Sequence, residues 1–220
     1  MSNLIEFQNN EDLAFFGKVN ASISHELKNI LAIISEAAGL LQDLTKMAAE
    51  GQKVELEMIN TCSQDIVEEI QRGFAAIKQM NTFSHSVDDP LKRVNLIEVL
   101  DLMIHLAGFL SFASKVRFDP PPEAAPMVLT CPIRLQNLIY RALIFAFESA
   151  GPDGQIEVAI QPQPEGSARI TFSGLGSSNG RSFASDKAKL IAASIGINIL
   201  ESPDLQRFEL AVPENVETVK

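Results

Sequence analysis

Residues 24–29, Ser-His-Glu-Leu-Lys-Asn, combine a nucleophile with two groups that could activate it. An unperturbed imidazole is mostly neutral near pH 7, so His25 could act as a nucleophile. Glu26 could hold one ring nitrogen as N–H and stabilise positive charge while the other nitrogen attacks phosphorus. Asn29 follows one helical turn later, where its amide could orient a phosphoryl oxygen or a water. On these residues alone, a solvated surface histidine remains an open alternative.

A long helix is expected to carry this string. From residue 11 to about residue 50 there is no proline, and apolar or small residues repeat every seven positions. Two such rows, taken as heptad positions d and a, give a coiled-coil-like seam. On this heptad His25 falls at position f, opposite the seam, which predicts that its ring faces solvent. The d row is Phe16, Ile23, Ile30, Ala37 and Leu44, and the a row is Leu27, Ile34, Leu41 and Ala48.

A second amphipathic helix is predicted over residues 54–87, after Gly51 ends the first. The acidic cluster Asp65, Glu68 and Glu69 within it is typical of a solvated helix face. Two long helices joined by a short turn form an antiparallel hairpin, which leaves half of each apolar stripe exposed. We therefore expect two hairpins to pair into a four-helix bundle, so that the protein is a homodimer.

Asp88-Asp89-Pro90 ends the helical pattern, and shorter mixed periods follow. We expect a hairpin domain over residues 1–88 and a second domain over residues 89–220. The order of elements in the second domain predicts an α+β fold with helices on one face of a mixed sheet. The expected helices are 95–114, 132–150 and 185–195, and the expected strands are 117–119, 127–130, 155–161, 168–173, 198–201 and 206–212.

The composition of the chain limits the classes of partner that it could bind. The chain of 220 residues has 18 basic and 28 acidic side chains and a net charge of −10, which repels nucleic acids and anionic lipid surfaces. It has no apolar run of the roughly 20 residues needed to span a membrane and no secretory signal at its start. Cys62 and Cys131 lie far apart, without neighbours at metal-ligand spacing. We expect a cytoplasmic protein with reduced thiols and no metal site.

The string around His25 resembles the H-box of sensor histidine kinases. In that family, the dimerisation and phosphotransfer domain is a helical hairpin that exposes the reactive histidine on its first helix. The match comprises His25, Glu26 and Asn29 in the family's His-Glu-x-x-Asn spacing. Ile30 stands where the family usually has proline, so we expect a straight helix where the kinases often bend.

The second domain resembles the ATP-binding domain of the same kinases. Residues 95–100 resemble its opening helix, and residues 134–146 resemble the helix with the magnesium-binding asparagine. Arg141 stands at that asparagine position, and Phe145 stands at the family's second asparagine. Magnesium requires oxygen ligands, which neither side chain offers.

The motif that would bind adenine is altered as well. The family's Asp-x-Gly-x-Gly falls on Phe172, Gly174 and Gly176, so both glycines are present and the aspartate is not. Residues 177–180 form a far shorter segment than the nucleotide lid of the kinases. The glycines alone could cradle a phosphate or form a tight turn after a strand, and the turn is the more common use of such a cluster. The resemblance therefore implies that this chain binds no cofactor.

Together these features indicate a histidine phosphotransferase that relays a phosphoryl group between receiver aspartates of response regulators through His25. The Mg²⁺ for this reaction is expected from the partner receiver domain. A divergent ATP-dependent kinase and a non-catalytic dimeric scaffold of two-component signalling remain as alternatives.

A docking surface for the receiver is predicted beside His25. The f positions that follow it are small, and Gly39 costs about 1 kcal/mol relative to alanine inside a helix, which close approach of another backbone would explain. A neutral accident at Gly39, or packing against the second domain, remains an alternative. Antiparallel geometry brings the second helix past His25 near residue 77, so its residues nearer the turn form the opposite wall. The predicted surface comprises Lys28, Ala32, Ser35 and Gly39 on the first helix and Gln64, Glu68 and Gln71 on the second.

Overall fold

The structure, a computed structural model, describes residues 2–108, 115–121, 126–151, 154–176, 182–202, 204 and 206–216, with the backbone alone for residues 2–9 and 115. The chain forms two compact units. The hairpin unit is Lys18–Ser84, and the sheet unit combines Met1–Gly17 with His85–Lys220. From the sequence we expected the boundary between the two domains after residue 88. Residues 1–17, which we expected in the hairpin domain, are instead grouped with the sheet unit.

The hairpin consists of α1 (Ser2–Ala49) and α2 (Leu56–Ser84). The turn after α1 is a Schellman motif, in which Gly51 has φ +76° and its N–H donates to Ala48 O. The N–H of Gln52 donates to Met47 O at 3.0 Å and completes the motif. The helices contact each other where Ile30 Cγ2 would lie 3.6 Å from a Cβ on Gly73. This contact agrees with the register expected from the turn.

One of the two predicted apolar rows is largely buried. Ile23, Ile30, Ala37 and Leu44 of the d row are buried, and α1 continues without a break through Ile30 as expected. Phe16, the first residue of that row, is half-buried and belongs to the sheet unit. The a row is covered less: Leu27, Ile34 and Leu41 are half-buried and Ala48 is exposed. Further apolar side chains stay exposed, including Leu31 at 64% and Phe74 at 65%. Part of the apolar surface of the hairpin unit is thus open to solvent.

The sheet unit confirms the α+β fold. In chain order its elements are β1 (Lys92–Asn95), α3 (Leu96–Gly108), β2 (Lys115–Phe118), β3 (Met127–Thr130), α4 (Pro132–Ala150), β4 (Gln155–Pro162), β5 (Ala168–Ser173), α5 (Asp186–Ser194), β6 (Asn198–Ser202) and β7 (Arg207–Val212). A five-stranded sheet has the strand order β2-β4-β5-β7-β6, in which β2 and β4 are parallel and the other pairs are antiparallel. The short strand β1 pairs with β3 and was not expected, because its four polar or half-buried residues show no alternation.

Local signals fix where these helices begin. Asn95 Oδ1 accepts hydrogen bonds from the backbone N–H groups of Ile97 and Glu98, which makes it the N-cap of α3. Pro132 starts α4, where its missing N–H costs nothing. Ser185 caps α5 through a bond from Ala188 N. The last six residues of the expected helix 95–114 lie outside the described part of the chain.

The core of the sheet unit lies between α4 and one face of the sheet. Strand β4 alternates exposed and buried residues, and Ile156, Val158 and Ile160 face inward. On α4, Leu135, Leu138, Ile139 and Leu143 are fully buried. None of the helices in the described ranges is both long and apolar enough to cross a membrane.

Candidate functional site

The imidazole of His25 lies on the exposed side of α1, as the heptad predicted. Its Nδ1 lies 3.3 Å from Nδ2 of Asn29, one turn along the helix. If the amide donates to Nδ1, the neutral ring carries its proton on Nε2. If the amide is rotated by half a turn, Nδ1–H donates to Oδ1 and the Nε2 lone pair faces solvent. In either case Asn29 engages Nδ1, so Nε2 is the ring nitrogen open to a partner.

The carboxylate of Glu26 does not take the role that we expected from the sequence. Instead of the His25 ring, its Oε1 accepts a hydrogen bond from Arg72 Nη2 on α2 at 2.7 Å. Arg72 Nη1 donates to Glu69 Oε1 as well. We call Glu26, Glu69 and Arg72 the Arg72 cluster; it joins the two helices beside His25.

In the Arg72 cluster, the two glutamate side chains are largely shielded from solvent, whereas the arginine is exposed. The side chains of Glu26 and Glu69 are each 12% exposed, whereas that of Arg72 is 53% exposed. The hydrogen bond that Arg72 donates to Glu69 raises the pKa of Arg72, so Arg72 keeps its positive charge. Glu69 is therefore buried, and the expectation of a solvated face is wrong at this position. The second oxygen of Glu69 has no hydrogen-bond partner among the described residues.

The predicted docking surface is accessible in the hairpin unit. Gly39 is half-buried, and a Cβ added to it would meet no described atom within 4 Å. No neighbour among the described residues therefore accounts for a glycine at this position. The other predicted residues are all exposed: Lys28, Ala32, Ser35, Gln64, Glu68 and Gln71.

In the sheet unit, Arg141 on α4 belongs to an ion-pair network. Its Nε donates to Asn137 Oδ1 at 2.9 Å, and its Nη2 donates to Glu11 Oε2 at 2.7 Å. The other oxygen of Glu11 accepts a hydrogen bond from Lys187 of α5, also at 2.7 Å. A single carboxylate from α1 thus neutralises cations on two helices.

Two further contacts attach the start of α1 to α4. Arg134 Nε donates to Asp12 Oδ2 at 3.1 Å, and Phe15 packs against Tyr140 with ring centroids 5.3 Å apart. Burial raises the pKa of the Asp12 carboxyl, although Arg134 opposes this shift. These contacts explain why residues 1–17 group with the sheet unit, and the heptad pattern gave no sign of them.

Aromatic rings fill the region where the kinase resemblance predicts adenine contacts. Phe172 stacks on Phe208 with ring centroids 4.8 Å apart and an angle of 9° between the planes. Phe183 lies 4.5 Å from Phe208 on another side, and Phe145 lies 5.7 Å from both Phe183 and Phe208. We call these four residues the aromatic cluster. Two of the residues that replace family polar groups, Phe145 and Phe172, therefore serve packing.

The carboxylate of Glu201 on β6 holds Phe183 in this cluster. Its Oε1 accepts hydrogen bonds from the backbone N–H groups of Phe183 and Ala184, at 2.7 and 3.2 Å. Its Oε2 accepts one from the hydroxyl of Ser182 at 2.6 Å. This segment directly precedes α5, and sequence reasoning assigned no role to Glu201.

The two glycines of the altered motif are needed by the fold. Gly174 has φ +78°, and a Cβ there would overlap Gln155 O. A Cβ on Gly176 would lie 2.7 Å from Ser149 O, to which its own N–H donates at 3.1 Å. Close approach to the backbone thus explains both glycines, as expected for a tight turn. Residues 177–180 lie outside the described ranges.

The described residues contain no group of three or more acidic, His or Cys side chains that could hold a metal ion. The remaining histidines bind local acceptors: His85 contacts the Asp88 carboxylate at 2.7 Å, and His105 contacts Asp101 O at 2.8 Å. Both cysteines are free, and burial raises the pKa of the Cys131 thiol.

A scan against protein-family models found no match, and neither did a search of the curated proteins. Among solved structures, the chain is similar to the catalytic domain of histidine kinase ThkA, with a TM-score of 0.44 and 16% identity over 58% of this chain and 99% of that one. It is similar to histidine kinase AdeS of Acinetobacter baumannii, with a TM-score of 0.45 and 10% identity over 81% and 95% of the two chains. The ATP-binding domain of PrrB from Mycobacterium tuberculosis gives a TM-score of 0.44 and 17% identity over 59% and 100%. At TM-scores below 0.5, these similarities assign no activity to this chain.

Proposed function

We propose that the protein is a histidine phosphotransferase that relays a phosphoryl group between receiver aspartates of response regulators through His25. The observation that carries this proposal is the exposed ring of His25, whose Nδ1 is engaged by Asn29 and whose Nε2 is open to a partner. The ring projects from a continuous helix, which suits a reaction in which positioning supplies most of the catalysis.

The chemistry requires one tautomer of the ring. With the proton on Nδ1 and donated to the Asn29 amide oxygen, the Nε2 lone pair attacks the phosphorus of an aspartyl phosphate. The bond between phosphorus and the aspartyl oxygen breaks, and the receiver carboxylate leaves. Nδ1 keeps its proton, so the phosphorylated ring is cationic and can return the phosphoryl group to another aspartate by the reverse step. The receiver brings the Mg²⁺ that offsets phosphate charge.

A role without ATP is supported by the sheet unit. Arg141 is committed to Asn137 and Glu11, and a cation repels Mg²⁺. Phe172 is fully buried under a stacked ring, where no polar group could meet an adenine. A divergent ATP-dependent kinase is therefore the weaker alternative. A non-catalytic dimeric scaffold would not require a histidine with an engaged Nδ1 and an open Nε2.

We expect a homodimer to carry out this reaction in the cytoplasm. The half-buried a row on α1 and the exposed Phe74 on α2 suit a second copy of the hairpin, which would complete a four-helix bundle. The receiver would dock on the surface beside His25 that includes Ser35 and Gly39. The net charge of −10 disfavours nucleic acids as partners.

The test is to incubate the purified protein with labelled ATP and Mg²⁺, and then with a panel of phosphorylated receivers. We expect no label from ATP, and an acid-labile, base-stable label from a cognate receiver. His25→Gln should abolish labelling without unfolding, whereas His85→Gln, at another exposed histidine, should keep it. Label from ATP alone would favour the kinase, and label retained by His25→Gln would remove His25 from the mechanism.

A further inference from the structure

We infer that Arg72 binds the phosphoryl group on His25 and holds it for transfer. This inference rests on the proposed function. Arg72 lies on α2, outside the string that the sequence identified, and reaches across the hairpin to the neighbour of His25. Nothing in the H-box spacing points to it.

The first step is the side of α1 that Arg72 occupies. An α-helix turns about 100° per residue, so Asn29 is displaced about 60° from Glu26 and His25 about 100°, in the same direction. The three side chains therefore follow one flank of α1 in the order Glu26, Asn29, His25. Glu26 is the member of this row that contacts α2, because its carboxylate accepts a hydrogen bond from Arg72.

The second step is the set of free donors on Arg72. A guanidinium has five N–H groups, and two of them donate to Glu26 and Glu69. The remaining three have no acceptor in the part of the chain that the structure describes. Because the side chain is 53% exposed, these donors are available to oxygens of an incoming phosphoryl group. Planar N–H pairs of arginine match phosphate oxygens well.

The third step is charge. The Arg72 cluster contains two carboxylates and one guanidinium, so it carries a formal charge of −1 before any phosphate arrives. A phosphoryl group on His25 would add about two negative charges beside Glu26. Arg72 can screen this repulsion while keeping its two carboxylates, because its phosphate-facing donors differ from those already used. The alternative is that Arg72 has only a structural role and joins the two helices.

Four single variants separate these roles. Arg72→Gln removes the cation, and Arg72→Lys keeps a charge without the planar donors. Glu26→Gln weakens the contact between the two helices but leaves Arg72 in place, still bound to Glu69. Lys46→Gln, at an exposed cation of α1 near the turn of the hairpin, is the control. Each protein is phosphorylated with potassium phosphoramidate, which needs no receiver, and then mixed with the cognate receiver.

The readouts are the ³¹P chemical shift of the phosphohistidine, its hydrolysis half-life, and the transfer rate at saturating receiver. We expect Arg72→Gln to shift the ³¹P resonance and to slow transfer about 100-fold, the lower end of the range for loss of one donor to a reacting oxyanion. Arg72→Lys should recover part of the rate, Glu26→Gln should lose much less than Arg72→Gln, and Lys46→Gln should match the parent.

Two outcomes would overturn the role of Arg72. The first is an unchanged ³¹P shift and transfer rate in Arg72→Gln. The second is an equal loss of transfer rate in Arg72→Gln and Glu26→Gln, which would indicate a purely structural role. Both outcomes still leave a phosphorylated His25, so they are distinct from failure of the proposed function. That failure would be a parent protein that phosphoramidate labels at His25 but that exchanges nothing with any receiver.

Discussion

Arg141 Nη2 lies 2.7 Å from Glu11 Oε2, although 130 positions separate the two residues in the sequence. Glu11 is 15% exposed and Arg141 is 33% exposed, so the pair is partly shielded from water. Lys187 binds the second oxygen of the same carboxylate. The position that the kinase resemblance assigns to a metal ligand thus takes part in attaching the first helix to the sheet unit.

Loss of this carboxylate should destabilise the sheet unit. Glu11→Gln leaves Arg141 and Lys187 without their anion, and we expect a loss of about 1–3 kcal/mol in the free energy of unfolding. Urea denaturation would measure it, and a double-mutant cycle with Arg141→Gln should give a coupling of about 1 kcal/mol. Asp43→Asn, in an exposed pair with Lys46, is the control and should change stability by less than about 0.5 kcal/mol. A Glu11→Gln protein as stable as the control would show that the network contributes nothing.

The aromatic cluster should contribute more to the free energy of unfolding than any of the ion pairs described above. Phe208 is 1% exposed and contacts Phe145, Phe172 and Phe183, so its truncation leaves a cavity that three rings cannot refill. We expect Phe208→Ala to cost about 3–5 kcal/mol, measured as a lower urea midpoint. Val87→Ala, at a residue that is 51% exposed, should change little. Equal effects of the two substitutions would contradict the packing described here.

Sequence reasoning succeeded where structure is determined locally. The helix from residue 132 to 150 has its start at Pro132 and its end before Gly151, and both signals lie within the chain segment itself. The register of the hairpin followed from Gly51 alone, since an antiparallel pair joined by a short turn has few other solutions. The exposed position of His25 followed from a heptad whose d row is buried.

What escaped prediction depends on contacts between distant parts of the chain. Glu69 belongs to an acidic cluster typical of a solvated helix face, but it accepts a hydrogen bond from Arg72. Glu11 pairs with Arg141, which lies far from it in the sequence. Charged side chains acquire partners only after the fold brings them together, so neither pairing leaves a periodic signal. The contact between Glu26 and Arg72 escaped prediction for the same reason, because Arg72 comes from the other helix.

Dimerisation should depend on the a row of α1. Leu27 and Ile34 are half-buried in a single hairpin, and a carboxylate introduced there would be buried without a partner, at a cost of several kcal/mol. We expect Leu27→Asp and Ile34→Asp to produce monomers or unfolded chains in light scattering. Ala21→Asp, at an exposed position of the same helix, should remain dimeric. A monomeric parent protein at micromolar concentration would contradict the four-helix bundle directly, whatever the variants do.

Docking of the receiver should depend on the small residues that follow His25. Ser35 is exposed, and a Cβ at Gly39 would meet no atom of the described residues within 4 Å, so we expect arginine at either position to leave the hairpin intact. It would obstruct a helix that packs closely against this surface, and we expect Ser35→Arg and Gly39→Arg to block phosphotransfer. Both variants should still accept phosphate from phosphoramidate, because the ring of His25 and its contact with Asn29 are unchanged. Ala49→Arg, at the exposed end of α1, is the control and should transfer as fast as the parent. Normal transfer rates in Ser35→Arg and Gly39→Arg would place the receiver on another face of the hairpin.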